Sequence, residues 1–105
     1  MRRRGGDIIV VLGSVLVREG RMAEAQKLSL EHVHRSRTEP GCVSHAVHVD
    51  CENPQRLVFV EEWADHAALQ AHFKVPASRQ FVVALSALAL EAPKMALYQA
   101  EHMEA

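Results

Sequence analysis

A chain of 105 residues has room for one domain with a single core, and is small enough that a second subunit would help to bury apolar surface. Lys and Arg number 12 against 13 Asp and Glu, which leaves a net charge of −1, and aromatic residues make up only 5%. Arg2–Arg4 and Arg35–Arg37 are the only basic concentrations, which is not the basic, aromatic-studded face that nucleic acid requires.

The opening MRRRGGDIIVVLGSVLV has the basic start and apolar run of an export signal. Against that reading, Asp7 opens the run, no small-x-small cleavage site follows, and Arg18-Glu19-Gly20-Arg21 leads directly into a helical pattern. The run also falls well short of the roughly 20 residues that span a bilayer. The expectation is a cytoplasmic domain with a core over residues 8–100 and flexible ends at 1–6 and 101–105.

Ile8 to Val17 is a β-branched run interrupted by Gly13, which predicts a strand with a bulge or a close backbone approach. Both of its faces, Ile8/Val10/Leu12/Leu16 and Ile9/Val11/Val15/Val17, are apolar, so both should be covered. Gly20 to about Ser36 follows as a helix with Met22, Ala25, Leu28 or Ser29, and Val33 near helical spacing, stopped by Glu39-Pro40-Gly41. Val43 to Asp50 alternates as a second strand, Glu52–Gln55 turns the chain, and Arg56 to Trp63 returns as a third, making a hairpin.

Asp65 is a natural N-cap for a short helix through Phe73. Lys74-Val75-Pro76 interrupts it, and Pro76 suits the first turn of a further segment to about Leu90, with Phe81, Leu85 and Leu88 as its buried stripe. Lys94 to Ala100 is a last strand. Cys42 and Cys51 flank strand two, where nine residues at about 3.3 Å each hold them roughly 30 Å apart, so they are expected to be free thiols.

The order β-α-β-β-α-β predicts an α+β, ferredoxin-like fold, with a four-stranded antiparallel sheet and the helices on one face. Helices then cover one side only of strands that are apolar on both. Packing the bare side on a second copy resolves the conflict, so a homodimer is expected, and Asp at Val11 or Val15 is the substitution chosen to split it.

The turn Glu39-Pro40-Gly41-Cys42, then Glu61-x-Trp63 at the end of strand three, then Asp65 with Ala68-Leu69-x-x-His72 on the next helix, resemble the antibiotic biosynthesis monooxygenase family, which includes quinol monooxygenases. The resemblance implies a dimeric α+β barrel with a pocket between sheet and helices in each subunit. It also implies a cofactor-independent monooxygenase that removes a proton from a quinol, anthrone or related polycyclic phenol and lets the anion reduce O₂. Such chemistry needs a dry pocket, a base, and donors for the developing charge.

Period two puts Leu57, Phe59, Glu61 and Trp63 on one face of strand three, and Leu69, His72 and Phe73 fall on neighbouring positions of the helix that follows. His72 is therefore the candidate base or proton shuttle. Trp63 and Arg79 are candidates to steady an oxyanion, Glu61 and Tyr98 to orient the substrate, and Phe59, Phe73 and Phe81 to bind its rings.

Relatives of this kind often carry His-Phe after the loop proline, where this chain has Ala77-Ser78-Arg79. The haem-degrading branch uses an Asn in strand one and a His in the later helix, and this chain has neither, so no haem is expected. No metal is expected either, because His45 and His48 lie on opposite strand faces, His32 and His34 diverge on a helix, and no pair has i, i+4 spacing. The bland alternatives are a core Trp63, a His72 satisfied by the backbone, a structural Glu61, and a non-catalytic dimeric module that binds a small aromatic or supports a larger enzyme. A solvent-free pocket holding Trp63 and His72 would favour the oxygenase, and one filled by Phe59, Phe73 and Phe81 the module.

Overall fold

A computed structural model describes residues 7–105, so the Arg2–Arg4 run lies outside the described residues. The elements are β1 (Asp7–Leu16), α1 (Met22–Ser36), β2 (Cys42–Asp50), β3 (Asn53–Trp63), α2 (His66–Lys74), α3 (Pro76–Ala87) and β4 (Lys94–Glu101). One antiparallel sheet runs in the order β2-β3-β1-β4, the ferredoxin-like arrangement with its second helical position divided in two. The division falls at Val75, whose extended backbone ends α2 and precedes Pro76 at the start of α3. An X-Pro step disfavours helical geometry before the ring, while the ring itself suits a first turn. Asp65 caps α2 as its sequence position suggests, Oδ1 accepting from the Ala68 N–H at 2.8 Å.

Pairing fixes which residues share a face. Val11 stands opposite Glu61 and Leu97, Gly13 opposite Phe59 and Met95, and Val15 opposite Leu57. This is the helix-covered face, although Leu97 and Met95 at its β4 edge stay 44% and 53% exposed. Val15, Val17, Leu57, Phe59, Leu85 and Leu88 pack at one end of it, and Val11, Trp63 and Leu69 at the other. Gly13 lies between the two groups in an unbroken β1 ladder, so the expected bulge is not there. Its missing side chain instead leaves space between sheet and helices.

Val11 and Val15 are therefore core residues under the helices, 0% and 2% exposed, and the wrong positions at which to probe the bare face. That face carries Ile8, Val10 and Leu12 of β1, with Val58 and Val60 of β3 and Tyr98 of β4 paired beside them. Leu12 is 43% exposed in the single chain.

Two irregularities shape β2. A register shift between Cys42 and Ser44 leaves Val43 exposed and lets His45 face inward opposite Glu61. At the other end β3 begins at Asn53, earlier than the sequence suggests, and Pro54 lies beyond the stretch paired with β1, where its lack of an N–H is harmless. Gly41 takes φ +83, and a Cβ there would run into the Ala68 side chain, which accounts for the glycine in the Glu39–Cys42 turn. Cys42 and Cys51 are free thiols.

Candidate functional site

Between the two apolar groups lies a cavity of about 410 Å³, bounded by Gly13, Phe59 and Glu61 from the sheet and by His32, His72, Phe73, Ser78, Arg79 and Phe81 from the helices. Its size falls within the roughly 300–1,000 Å³ of small-molecule sites. Six of the eight residues named from the sequence line it: His72, Arg79, Glu61, Phe59, Phe73 and Phe81. The phenylalanines line the space without filling it.

The other two are elsewhere. Trp63 is fully buried in the core against Val11 and Leu69, and its indole N–H donates to Glu61 Oε1 at 2.9 Å, so that donor is already engaged inside the protein. Its ring backs His72, with centroids 4.5 Å apart. Tyr98 pairs with Val10 on the bare face of the sheet, 53% exposed and turned away from the cavity. The alternation of β4 left both of its faces open to choice, and pairing with β1 selected Leu97 and Met95 for the inner one.

One end of the cavity is polar, where His72, Glu61 and Arg79 are joined by His32 and Ser78, and His45 packs behind them. His32 of α1, His45 of β2 and His72 of α2 meet there, with ring centroids 5.3 Å (His32–His45), 5.3 Å (His32–His72) and 5.7 Å (His45–His72) apart. All three are buried. The expectation that the histidines diverge is corrected here: His48 and His34 do turn away, but the convergence is among three different elements. Local spacing tests only pairs on one element. His32 does fall on the buried stripe of α1 with Ala25, Ser29 and Ser36, and the hairpin register places His45 opposite Glu61.

Carboxylates surround the imidazoles. His72 Nδ1 lies 2.7 Å from Glu39 Oε1, in the turn after α1. A carboxylate only accepts, so Nδ1 carries a proton, and in the neutral ring the lone pair is on Nε2. His45 Nε2 approaches Glu61 Oε1 at 3.3 Å without hydrogen-bond alignment, and neither ring nitrogen of His45 has a hydrogen-bond partner among the described residues. Arg35 donates to His32 Nδ1 at 2.7 Å and reaches Ser78 Oγ at 3.5 Å, while Phe81 stacks flat on the His32 ring at 4.0 Å.

Burial, reinforced by His45, His72 and Arg35, pushes the His32 pKa down from 6.5 to about 3, so this imidazole is neutral at ordinary pH. Burial opposes the charge on Glu61, but His45 and the Trp63 N–H outweigh it and hold its carboxyl below the usual range. Burial first, then Glu39 and Glu61, push the Cys42 thiol up, which makes it a poor nucleophile.

The sheet order and the helices packed on one face make this a ferredoxin-like α+β domain with a cavity beneath its helices. The family model of the antibiotic biosynthesis monooxygenases matches residues 8–84, and the chain belongs to that family. An uncharacterized protein of Synechocystis sp. is 37% identical over 76 residues, covering 72% of this chain. This chain spans about half the length of that relative, 52%.

Among solved structures, an antibiotic biosynthesis monooxygenase is 27% identical with a TM-score of 0.82, over 88% of this chain and 97% of that one. A conserved protein from Methanosarcina mazei is 24% identical with a TM-score of 0.85, over 89% and 92%. A Deinococcus radiodurans protein described as a candidate member of the same family reaches 0.88 at 23% identity, over 92% and 96%. These last two show the fold alone. Among the described residues, no helix is long and apolar enough to cross a membrane.

Proposed function

We propose that the protein is a monooxygenase that uses O₂ to oxidise an electron-rich anthrone, quinol or related polycyclic phenol. The carrying observation is the apolar cavity closed at one end by a carboxylate-held imidazole. The substrate rings lie against Phe59, Phe73 and Phe81, and the acidic group points to His72 Nε2, which carries the lone pair in the neutral ring that Glu39 orients through Nδ1–H. Arg79 at the rim faces the developing negative charge.

For an anthrone the balance closes with O₂ as the sole oxidant. His72 takes a proton, the carbanion passes one electron to O₂, and the resulting radical pair joins as a peroxide. That peroxide loses water, so that CH₂ and O₂ become C=O and H₂O. The electrons come from the substrate, so no organic cofactor is required. The cavity holds His72 though not Trp63, and phenylalanines line it without filling it, which favours this reading over a non-catalytic module. We place the homodimer on the face that carries Val10 and Leu12, which leaves the cavity on the other side of each sheet.

Oxygen uptake on a panel of anthrones and quinols tests the proposal. His72→Ala should slow turnover by roughly 10²-fold, the scale of a positioned base, while Tyr98→Phe should leave it unchanged. No uptake by the native protein across the panel would move the assignment to the binding module.

A further inference from the structure

The geometry points to a binding site for one divalent first-row transition-metal ion among His32, His45 and His72. One donor nitrogen from each lies within 4.8 Å of the others, and all three residues are buried. Around a tetrahedral ion with bonds of about 2.0–2.1 Å, neighbouring donors stand roughly 3.4 Å apart, so the rings close on the ion by side-chain adjustments on the order of 1 Å. Each ligand comes from a separate element, α1, β2 and α2, which fixes the triangle in space.

His45 supplies an independent reason. Its side chain is fully buried; Nε2 faces Glu61 Oε1 at 3.3 Å, and Nδ1 has no hydrogen-bond partner among the described residues. An unpaired buried polar group costs about 1–3 kcal/mol, and a metal bond would satisfy one of its nitrogens. The surroundings fit a cation as well. Glu39 on His72 Nδ1 is the carboxylate–imidazole support that orients metal-ligating histidines, and Glu61 adds a second negative charge beside His45.

Arg35 is the opposing element. Ligation through His32 Nε2 moves the proton to Nδ1, so the guanidinium must release that nitrogen and keep Ser78 Oγ. Three neutral imidazoles suit zinc, copper, iron, cobalt or nickel better than calcium or magnesium. His32 and His72 also line the cavity, so an ion held by them would border that space. With an ion in place His72 would be a ligand and not a base, which takes this site beyond the function proposed above.

The test is titration of chelator-treated native protein with Co(II), followed by its visible absorption. Expected are nitrogen-ligated Co(II) bands that saturate at one equivalent per chain, displacement by Zn(II), and a rise in melting temperature with either ion. His32→Gln and His45→Gln should each weaken binding 100-fold or more, whereas changing the exposed His66 and His102 together should leave it intact. Should His45→Gln fail to fold, imidazole ¹⁵N shifts of the native protein decide instead. Three rings that move together at one equivalent of Zn(II) support the site, and rings that stay unmoved overturn it. Native protein without Co(II) bands, or binding lost only with His66 and His102, also overturns it. The readout needs no turnover, so Co(II) binding by a chain that consumes no oxygen would support the site while removing the proposed oxidation.

Discussion

Glu39 and His72, 33 residues apart in sequence, meet at 2.7 Å where the turn after α1 passes the buried side of α2. The pair fixes the imidazole tautomer, because the carboxylate binds the proton on Nδ1 and leaves Nε2 to the cavity. Glu39 touches no substrate in this arrangement; it is a positioning residue.

Glu39→Gln keeps the shape but removes the charge that holds the tautomer. Activity on a responsive anthrone or quinol, and Co(II) affinity, should each fall by roughly 10–100-fold, as is usual for such supporting carboxylates. The melting curve separates this from unfolding. Unchanged turnover and unchanged Co(II) affinity would show that His72 is held by its packing alone.

Trp63→Phe retains a ring between Val11 and Leu69 but takes the 2.9 Å N–H from the buried Glu61. Leaving that carboxylate short of a donor should cost about 1–3 kcal/mol in urea unfolding. The cavity loses no lining group, so a fall in turnover should track the loss of folded protein. A large loss of turnover at full stability would return Trp63 to the chemistry.

The His32 pKa sets an acid limit on stability. The unfolded chain takes up this proton near pH 6.5, the folded chain only at about 3, so the unfolded state binds more protons between those values. Stability of the metal-free protein should therefore decline as pH falls through that window, with a contribution of up to about 1.4 kcal/mol per pH unit. Glu61, whose folded pKa is also lowered, adds a loss of the same sign at the acid end. Urea titrations at a series of pH values check this, and His32→Gln should reduce the slope. A slope identical in both proteins would mean that His32 takes its proton equally well when folded.

Leu12→Asp replaces a residue that is 43% exposed in the single chain, on the bare sheet face. A folded monomer should tolerate it, whereas a dimer packed on that face should not, because burying an unpaired charge costs several kcal/mol. Sedimentation at micromolar concentration should give twice the chain mass for the native protein and the single mass for Leu12→Asp. A native monomer would place no partner on this face.

Local sequence determined the order of elements, because β-branched alternation, helical spacing and the punctuation at Pro40-Gly41, Asp65 and Pro76 each act over a few residues. It also placed Glu61 and Phe59 on one face of β3 and His72 beside Phe73, since strand and helix periods are properties of single elements. Tertiary structure decided everything that joins elements. Pairing with β1 turned Tyr98 to the bare face and Val11 and Val15 to the core, a choice that two equally apolar or mixed faces leave open until a register is set. The register shift after Cys42 brought His45 inward, the turn at Glu39 reached α2, and His32 met both histidines from α1. Their spacings of 13 and 27 residues along the chain follow no local period, so only the packing of helices on the sheet could bring the three rings together.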